Sequence, residues 1–248
     1  MRQLNAFPIR LMSVDPANLG TADAACFGTG DNGVDYCIKT VEKTPRVPAA
    51  ELICYSLADL CGLSVPQYDV VEFPEGALGF GSVWDASAAD QQSSNSVLLG
   101  QSKGKEIARN LSRIYAFDLF VHNVDRHLNN YLCVRGRVPG YTVKAFDFSR
   151  AFSAHGWPLP PLPMIESEAT VRTFRYLKTL HQFSFSDASD LLNKIKALPA
   201  SRFRSVLDSL PPKWADAKLK KRMVKWWAEE CGGRIDMIAG GLKDGSFL

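Results

Sequence analysis

The chain has 248 residues, 46% of them hydrophobic, and a formal net charge of +3, enough apolar material for a sizeable core in one large domain or in two lobes sharing a cleft. Its Lys and Arg residues are scattered rather than blocked, so it lacks the electrostatic footprint of a nucleic-acid binder, and no direct nucleic-acid contact is expected. Its six cysteines form no C-x-x-C pair, which argues against zinc and a disulfide framework, and no stretch approaches the roughly 20 apolar residues of a membrane span or shows a secretory leader, so a cytoplasmic protein is expected.

Pro8 to Val14 alternates apolar and polar side chains as a strand does, and the turn formers from Asp15 to Gly20 end it. Asp23 to Phe27 and Val34 to Thr40 read as two more strands, joined by a hairpin turn from Gly28 to Gly33. The loop ahead of them carries Gly20, Thr21 and Ala22, small residues that let backbone N–H groups approach phosphate oxygens. Lys39 closes the second of these strands on the same face as Cys37. A helix follows, with Pro48 near its start, Ala50, Ile53, Leu57, Leu60 and Cys61 on one face, Glu51 in its first turn and Gly62 at its end. Tyr68 to Phe73 and Ala77 to Trp84 complete a set of five strands. Ala86 to Gly104, rich in Ser, Gln, Asn and Ala, buries little apolar area and is expected to be a mobile loop. It is the best boundary, dividing the chain into residues 1–85 and 86–248.

Ile107, Leu111, Ile114, Tyr115 and Leu119 give Lys105 to His122 a helical period and deliver the chain into a polar loop. Asp125 opens that loop and Asn130 follows five residues later; two strand-like runs, Tyr131 to Val134 and Tyr141 to Phe146, then lead to Asp147. The order is D-x-x-x-x-N, hairpin, D-F-S. Moving a phosphoryl group from ATP needs a carboxylate near the attacking hydroxyl, with an amide oxygen and a second carboxylate to hold magnesium, and a loop followed by a hairpin can gather all three. The prolines between Gly156 and Pro163 exclude regular helix or a central strand, and this segment is expected to border the acceptor. The remainder reads as helices over Ser167 to Phe183, Asp187 to Leu198 and Lys218 to Cys231, with Met223, Trp226 and Trp227 as packing anchors.

Asn123, Asp125, His127 and Asn130 spell N-x-D-x-H-x-x-N, followed by Asp147-Phe148, and in this the chain resembles the HipA-like kinases. Asp125, Arg126, His127 and Asn130 also satisfy the D-R-H-x-x-N of the phosphatidylinositol kinases, a more distant resemblance. The resemblance implies an α+β, two-lobed protein-kinase-like fold, with an antiparallel sheet and one helix in the small N-lobe and a larger, mainly helical C-lobe. It implies ATP and Mg²⁺ as cofactors, Asp125 as the catalytic aspartate, and Asn130 and Asp147 as metal ligands. Lys39, oriented by Glu51, would hold the phosphates beneath the Gly20-Thr21-Ala22 loop, and Trp84 and Asp85 would form a hinge whose backbone bonds adenine. His127 and Asn123 would brace the catalytic loop, while Arg126 would either neutralise the transferring phosphate or pair with an acidic neighbour. The implied activity is transfer to a protein serine or threonine hydroxyl, with an unidentified protein substrate and an antitoxin or regulatory partner. A lipid kinase and a nucleotide-binding pseudokinase are the alternative readings. Some members of this family phosphorylate a hydroxyl in the phosphate loop, which makes Thr21 a candidate site of self-modification.

Overall fold

The computed structural model describes residues 7–16, 26–42, 46–84, 88–102, 104–135 and 140–248. Its first half is built on β1 (Ile9–Pro16), β2 (Cys26–Gly30), β3 (Asp35–Thr40), α1 (Val47–Leu60), β4 (Tyr68–Glu72) and β5 (Leu78–Val83). A strand forms at each of the five expected places, though β2 runs on through residues 28–30, which were expected to be turn, and residues 23–25 lie outside the described residues; the five close in the order β1-β2-β3-β5-β4. An antiparallel sheet was expected. Four of the neighbouring pairs are antiparallel, but β1 meets β4 in parallel through Ile9 opposite Val71 and Arg10 opposite Glu72, so the sheet is a closed barrel. Glycine permits the curvature: a Cβ at Gly81 would sit 2.7 Å from Val71 Cγ1, and one at Gly28 would sit 2.8 Å from the Ser13 carbonyl.

Ile9, Leu11, Cys26, Tyr36, Ile38 and Val71 fill the barrel as a small core of their own. Because strand side chains alternate, burying Tyr36 and Ile38 inside turns Cys37 and Lys39 outward, toward α1. Residues 47–58 of α1 are all buried, and α1 belongs to the larger core that continues through the C-terminal helices. Gly62, at φ 66°, takes the left-handed conformation that ends the helix.

The second half comprises α2 (Gln91–Ser96), α3 (Lys105–Val121), a hairpin of β6 (Tyr131–Arg135) and β7 (Tyr141–Ala145), and α4 (Ala169–Leu180), α5 (Phe185–Lys196), α6 (Ala200–Asp208), α7 (Ala217–Glu229) and α8 (Cys231–Asp244). The architecture is thus mixed α and β, with helix predominating after β5. No described helix is long and apolar enough to cross a membrane. The loop expected after β5 is instead helical over residues 91–101. Asp90 caps α2 by accepting from the Ser93 amide at 2.7 Å, and the Ala89 amide donates to the Cys133 carbonyl at 2.9 Å. The segment is held by the β6 edge and by buried Val97 and Leu98, which its polar composition conceals.

Two further helices, besides α2, were not anticipated. α6 is too short for its period to stand out, and Gly232-Gly233 reads as a break although it lies in the first turn of α8. The chain then folds back so that Phe247 covers Gly241, where a Cβ would stand 2.6 Å from the ring. Gly241→Ala is expected to lower stability by about 1–3 kcal/mol through overpacking. Gly240→Ala, where nothing lies within 4 Å, is the control and should be neutral or stabilising in urea denaturation.

Candidate active site

α3 ends at His122, which caps it in the left-handed conformation, and the turn that follows sends residues 123–130 back across the helix end. An arginine holds this loop in place. Arg126 is fully buried, and its Nε and Nη2 donate to the Asp118 carboxylate of α3 at 2.9 and 3.0 Å. Nη1 donates to the Asn130 carbonyl at 2.9 Å and to the Phe146 carbonyl, while the guanidinium lies 4.6 Å from the centre of the Phe148 ring. One side chain therefore joins the helix, the loop and the exit of the hairpin. Of the two roles left open for Arg126, pairing with an acidic neighbour is the one observed. The other role, neutralising the transferring phosphate, is corrected, because a fully enclosed guanidinium committed to these bonds is not available to a phosphate.

Asp118 escaped the sequence reading. It lies between Phe117 and Leu119 on a buried face, and the available signal was that a carboxylate in such a position needs a cation. Asn123 is also buried and donates to Asp118 at 2.9 Å, so it does brace the loop. His127 is exposed, and its backbone rather than its ring serves the loop, with its N–H bonded to the Asp125 carbonyl at 3.1 Å and its carbonyl accepting from the Asn130 amide at 2.9 Å. Asn130 donates its side-chain N–H to the Asp125 carbonyl at 2.8 Å, which leaves its Oδ1 as the acceptor. Asp125 is half-buried, and its carboxylate has no hydrogen bond or ion pair among the described residues.

The β6–β7 hairpin, in register from Tyr131 opposite Ala145 to Arg135 opposite Tyr141, carries the chain to Asp147. Phe148 anchors that exit. Its ring is fully buried, edge-on to Tyr55 of α1 at 5.5 Å and to Phe117 of α3 at 5.6 Å, a burial worth about 1.5–3 kcal/mol. Asp147 itself, at φ 59°, turns its carboxylate toward the sheet. There Lys39 Nζ lies 2.7 Å from Asp147 Oδ1 and 2.5 Å from Glu51 Oε1, and Glu51 Oε1 also accepts from the Phe148 amide at 3.0 Å. β3, α1 and the hairpin exit thus meet around one ammonium group.

The electrostatics follow from burial and pairing. Burial works against charge on Lys39, yet Asp147 and Glu51 together raise it above the ordinary lysine value. Burial likewise opposes charge on Asp147, but the Lys39 ammonium and the hydrogen bonds from Ser149 hold its carboxyl well below the usual carboxylate range. Glu51 is the weaker acid: burial pushes it up to about 7 against the pull of Lys39, and its Oε2 is buried without a hydrogen-bond partner among the described residues.

The hinge expectation needs amendment at Trp84. Its N–H donates to the Asp35 carbonyl at 2.8 Å, extending the β3–β5 pairing, so that donor is already engaged and only the carbonyl remains for a ligand. The Trp84 ring, 58% exposed, meets Phe27 edge-on at 5.3 Å. Gly20, Thr21, Ala22 and Asp85 lie outside the described residues.

A search of curated proteins returned no match. Among solved structures, the fold is similar to that of the Helicobacter pylori proinflammatory kinase CtkA, with a TM-score of 0.60 and 14% identity over 92% of this chain and 95% of that one. It is also similar to a chain of the Shewanella oneidensis MR-1 toxin–antitoxin complex of HipA, HipB and operator DNA, with a TM-score of 0.53 and 14% identity over 94% of this chain and 66% of that one. Identities this low establish the likeness of fold alone. The sequence profile described as HipA-like kinase matches residues 21–227, and with most of its length covered the chain belongs to the HipA-like kinase family.

Proposed function

We propose that the protein is an ATP- and Mg²⁺-dependent kinase that transfers the γ-phosphate to a serine or threonine hydroxyl of a protein. The observation that carries this is the meeting of Lys39, Glu51 and Asp147 within 2.7 Å contacts, from positions as far as 108 residues apart; with it goes Asp125, whose carboxylate has no hydrogen bond or ion pair among the described residues. The family assignment supports the same reading. We read residues 1–85 and 86–248 as the two lobes of a protein-kinase-like fold, supported by the separate core of the barrel.

The donor set suits magnesium. Among the described residues no three His, Cys, Asp or Glu side chains gather into a metal site, and Mg²⁺ usually takes one or two carboxylates and completes its shell with phosphate oxygens and water. The Asp147 carboxylate, held charged, and the Asn130 Oδ1 would hold it. When bound, the metal neutralises charge on the phosphate oxygens. Lys39 would bind the phosphates, as would backbone N–H groups of Gly20, Thr21 and Ala22, with the Trp84 carbonyl and Asp85 beside the base. Asp125 would orient the acceptor hydroxyl and take up its proton. Glu51 would orient Lys39, since residues 47–58 of α1 are all buried and its carboxylate already meets the Lys39 ammonium. A protein acceptor and an antitoxin-type regulatory partner, of the kind present in the Shewanella complex, are the expected partners.

The test is to incubate the purified protein with γ-labelled ATP and Mg²⁺ beside candidate protein and lipid acceptors. Label is expected on protein hydroxyls; label on lipid alone would transfer the assignment to the lipid kinases, and absence of MgATP binding in calorimetry would remove it. Lys39→Ala and Glu51→Ala should both cut activity, the second less, and their double-mutant cycle should be non-additive by about 0.5–3 kcal/mol because the two groups share one contact. Additive losses would mean that Glu51 serves only its helix.

A further inference from the structure

The aim of Asp125 depends on its backbone, since its carboxylate has no partner among the described residues. On one side that backbone is pinned by Asn130, whose side chain donates to the Asp125 carbonyl at 2.8 Å. On the other side it meets the first turn of α4. Thr170 there is 1% exposed. Its Oγ1 donates to the Asn123 carbonyl at 2.5 Å and accepts from the Arg126 amide at 2.9 Å, and its own N–H donates to the Val124 carbonyl at 3.3 Å. One residue, distant by more than forty positions in sequence, therefore bonds the peptide groups of three of the four residues from Asn123 to Arg126.

We propose that Thr170 is a positioning residue for Asp125, acting through the loop backbone on either side of it. The inference rests on the reading of Asp125 as the catalytic aspartate. Two features distinguish this contact from ordinary capping. The Glu168 side chain makes no capping hydrogen bond to α4, so a first-turn N–H that would otherwise be orphaned is satisfied by the catalytic loop itself. The hydroxyl, moreover, completes both a buried acceptor and a buried donor: Asn123 and Arg126 are fully enclosed, and water does not readily replace a lost partner there. Removing the hydroxyl leaves both unpaired or shifts the loop to find new partners. Either outcome moves Asp125, and a displacement of about 1 Å at a reacting group can cost about a hundredfold in rate. Lys39, Glu51 and Asp147 make none of the Thr170 bonds, and Asn130, the other residue assigned to the metal, meets Asp125 only at its carbonyl.

Thr170→Val keeps the shape and the backbone N–H but removes the hydroxyl, while Thr170→Ser keeps the hydroxyl. The assay is MgATP-dependent phosphate transfer to dephosphorylated casein and to the protein itself, with MgATP affinity by calorimetry and amide hydrogen exchange at Arg126. For Thr170→Val we expect kcat to fall about 10- to 100-fold, KM and Kd for MgATP to stay within about twofold, and the Arg126 amide to exchange faster. Thr170→Ser should restore kcat and slow exchange. Parental kcat in Thr170→Val, a serine variant as slow as the valine one, or a loss lying wholly in KM would overturn the role. If Thr170→Val does not fold, Thr170→Cys, which also lacks a strong donor, takes its place in the same comparison. A parent protein that binds no MgATP would overturn the kinase reading and this proposal with it, whereas an active parent matched by an equally active Thr170→Val overturns the role of Thr170 alone.

Discussion

Asp118→Ala is expected to destabilise the protein by about 3–5 kcal/mol, since it leaves a buried arginine without its counter-charge. Both partners are fully enclosed, so solvent does not screen the loss. Arg126 would retain the Asn130 and Phe146 carbonyls, whose partial charges are too small to replace a carboxylate. A double replacement tells stability apart from function. Asp118→Leu combined with Arg126→Met removes both charges and fills similar volume, a change that is often neutral or stabilising for a buried pair. That variant should recover most of the lost stability in urea denaturation while remaining poor in phosphate transfer, because no side chain then links the loop at Asn130 to the hairpin exit at Phe146. If Asp118→Ala unfolds at the parental urea midpoint, the pair is not the support described above.

Asp147→Asn is expected to reduce phosphate transfer by about a thousandfold, the size of loss seen when a single charge-stabilising group is removed from a reaction centre. Asparagine is the cleaner probe than alanine. The residue sits at φ 59°, where asparagine is tolerated and alanine is strained by about 1–2 kcal/mol. Lys39 keeps Glu51, and Phe148 still anchors the hairpin exit, so the variant should remain folded, its melting temperature lowered only by the loss of the Asp147–Lys39 pair. Calorimetry should show nucleotide affinity that depends on Mg²⁺ in the parent and has lost that dependence in the variant. Parental Mg²⁺ dependence together with parental activity would remove Asp147 from the metal site.

The sign of the pH effect at Asp147 follows from the direction of its shift. Its folded pKa is depressed by Lys39, so its contribution to stability is full above the unfolded value of about 3.9 and is lost only as pH falls through the folded one. Acidification from about pH 7 to about pH 5 therefore leaves Asp147 charged.

Much of the candidate site was legible because its cues are local. Alternation alone places Lys39 opposite Tyr36 and Ile38, so a barrel that buries those two must turn the lysine outward. Asp125, Asn130 and Asp147 could be read from spacing, because a loop of five residues and a two-stranded hairpin leave the chain few routes. The helix carrying Glu51 announced itself through Pro48 and Gly62, whose backbone preferences act within one turn. Other features depended on what lies across the fold. Asp118 and Arg126 form a pair only because α3 and the loop are folded against each other, and no period in the sequence distinguishes that aspartate from an exposed one. The Trp84 N–H is engaged by Asp35 through strand pairing, the barrel closes in parallel through two residue pairs, and polar α2 is ordered by the edge of β6. Local propensity governs which way a residue faces within its own element, whereas burial, charge pairing and hydrogen-bond satisfaction depend on neighbours brought near only by the tertiary fold.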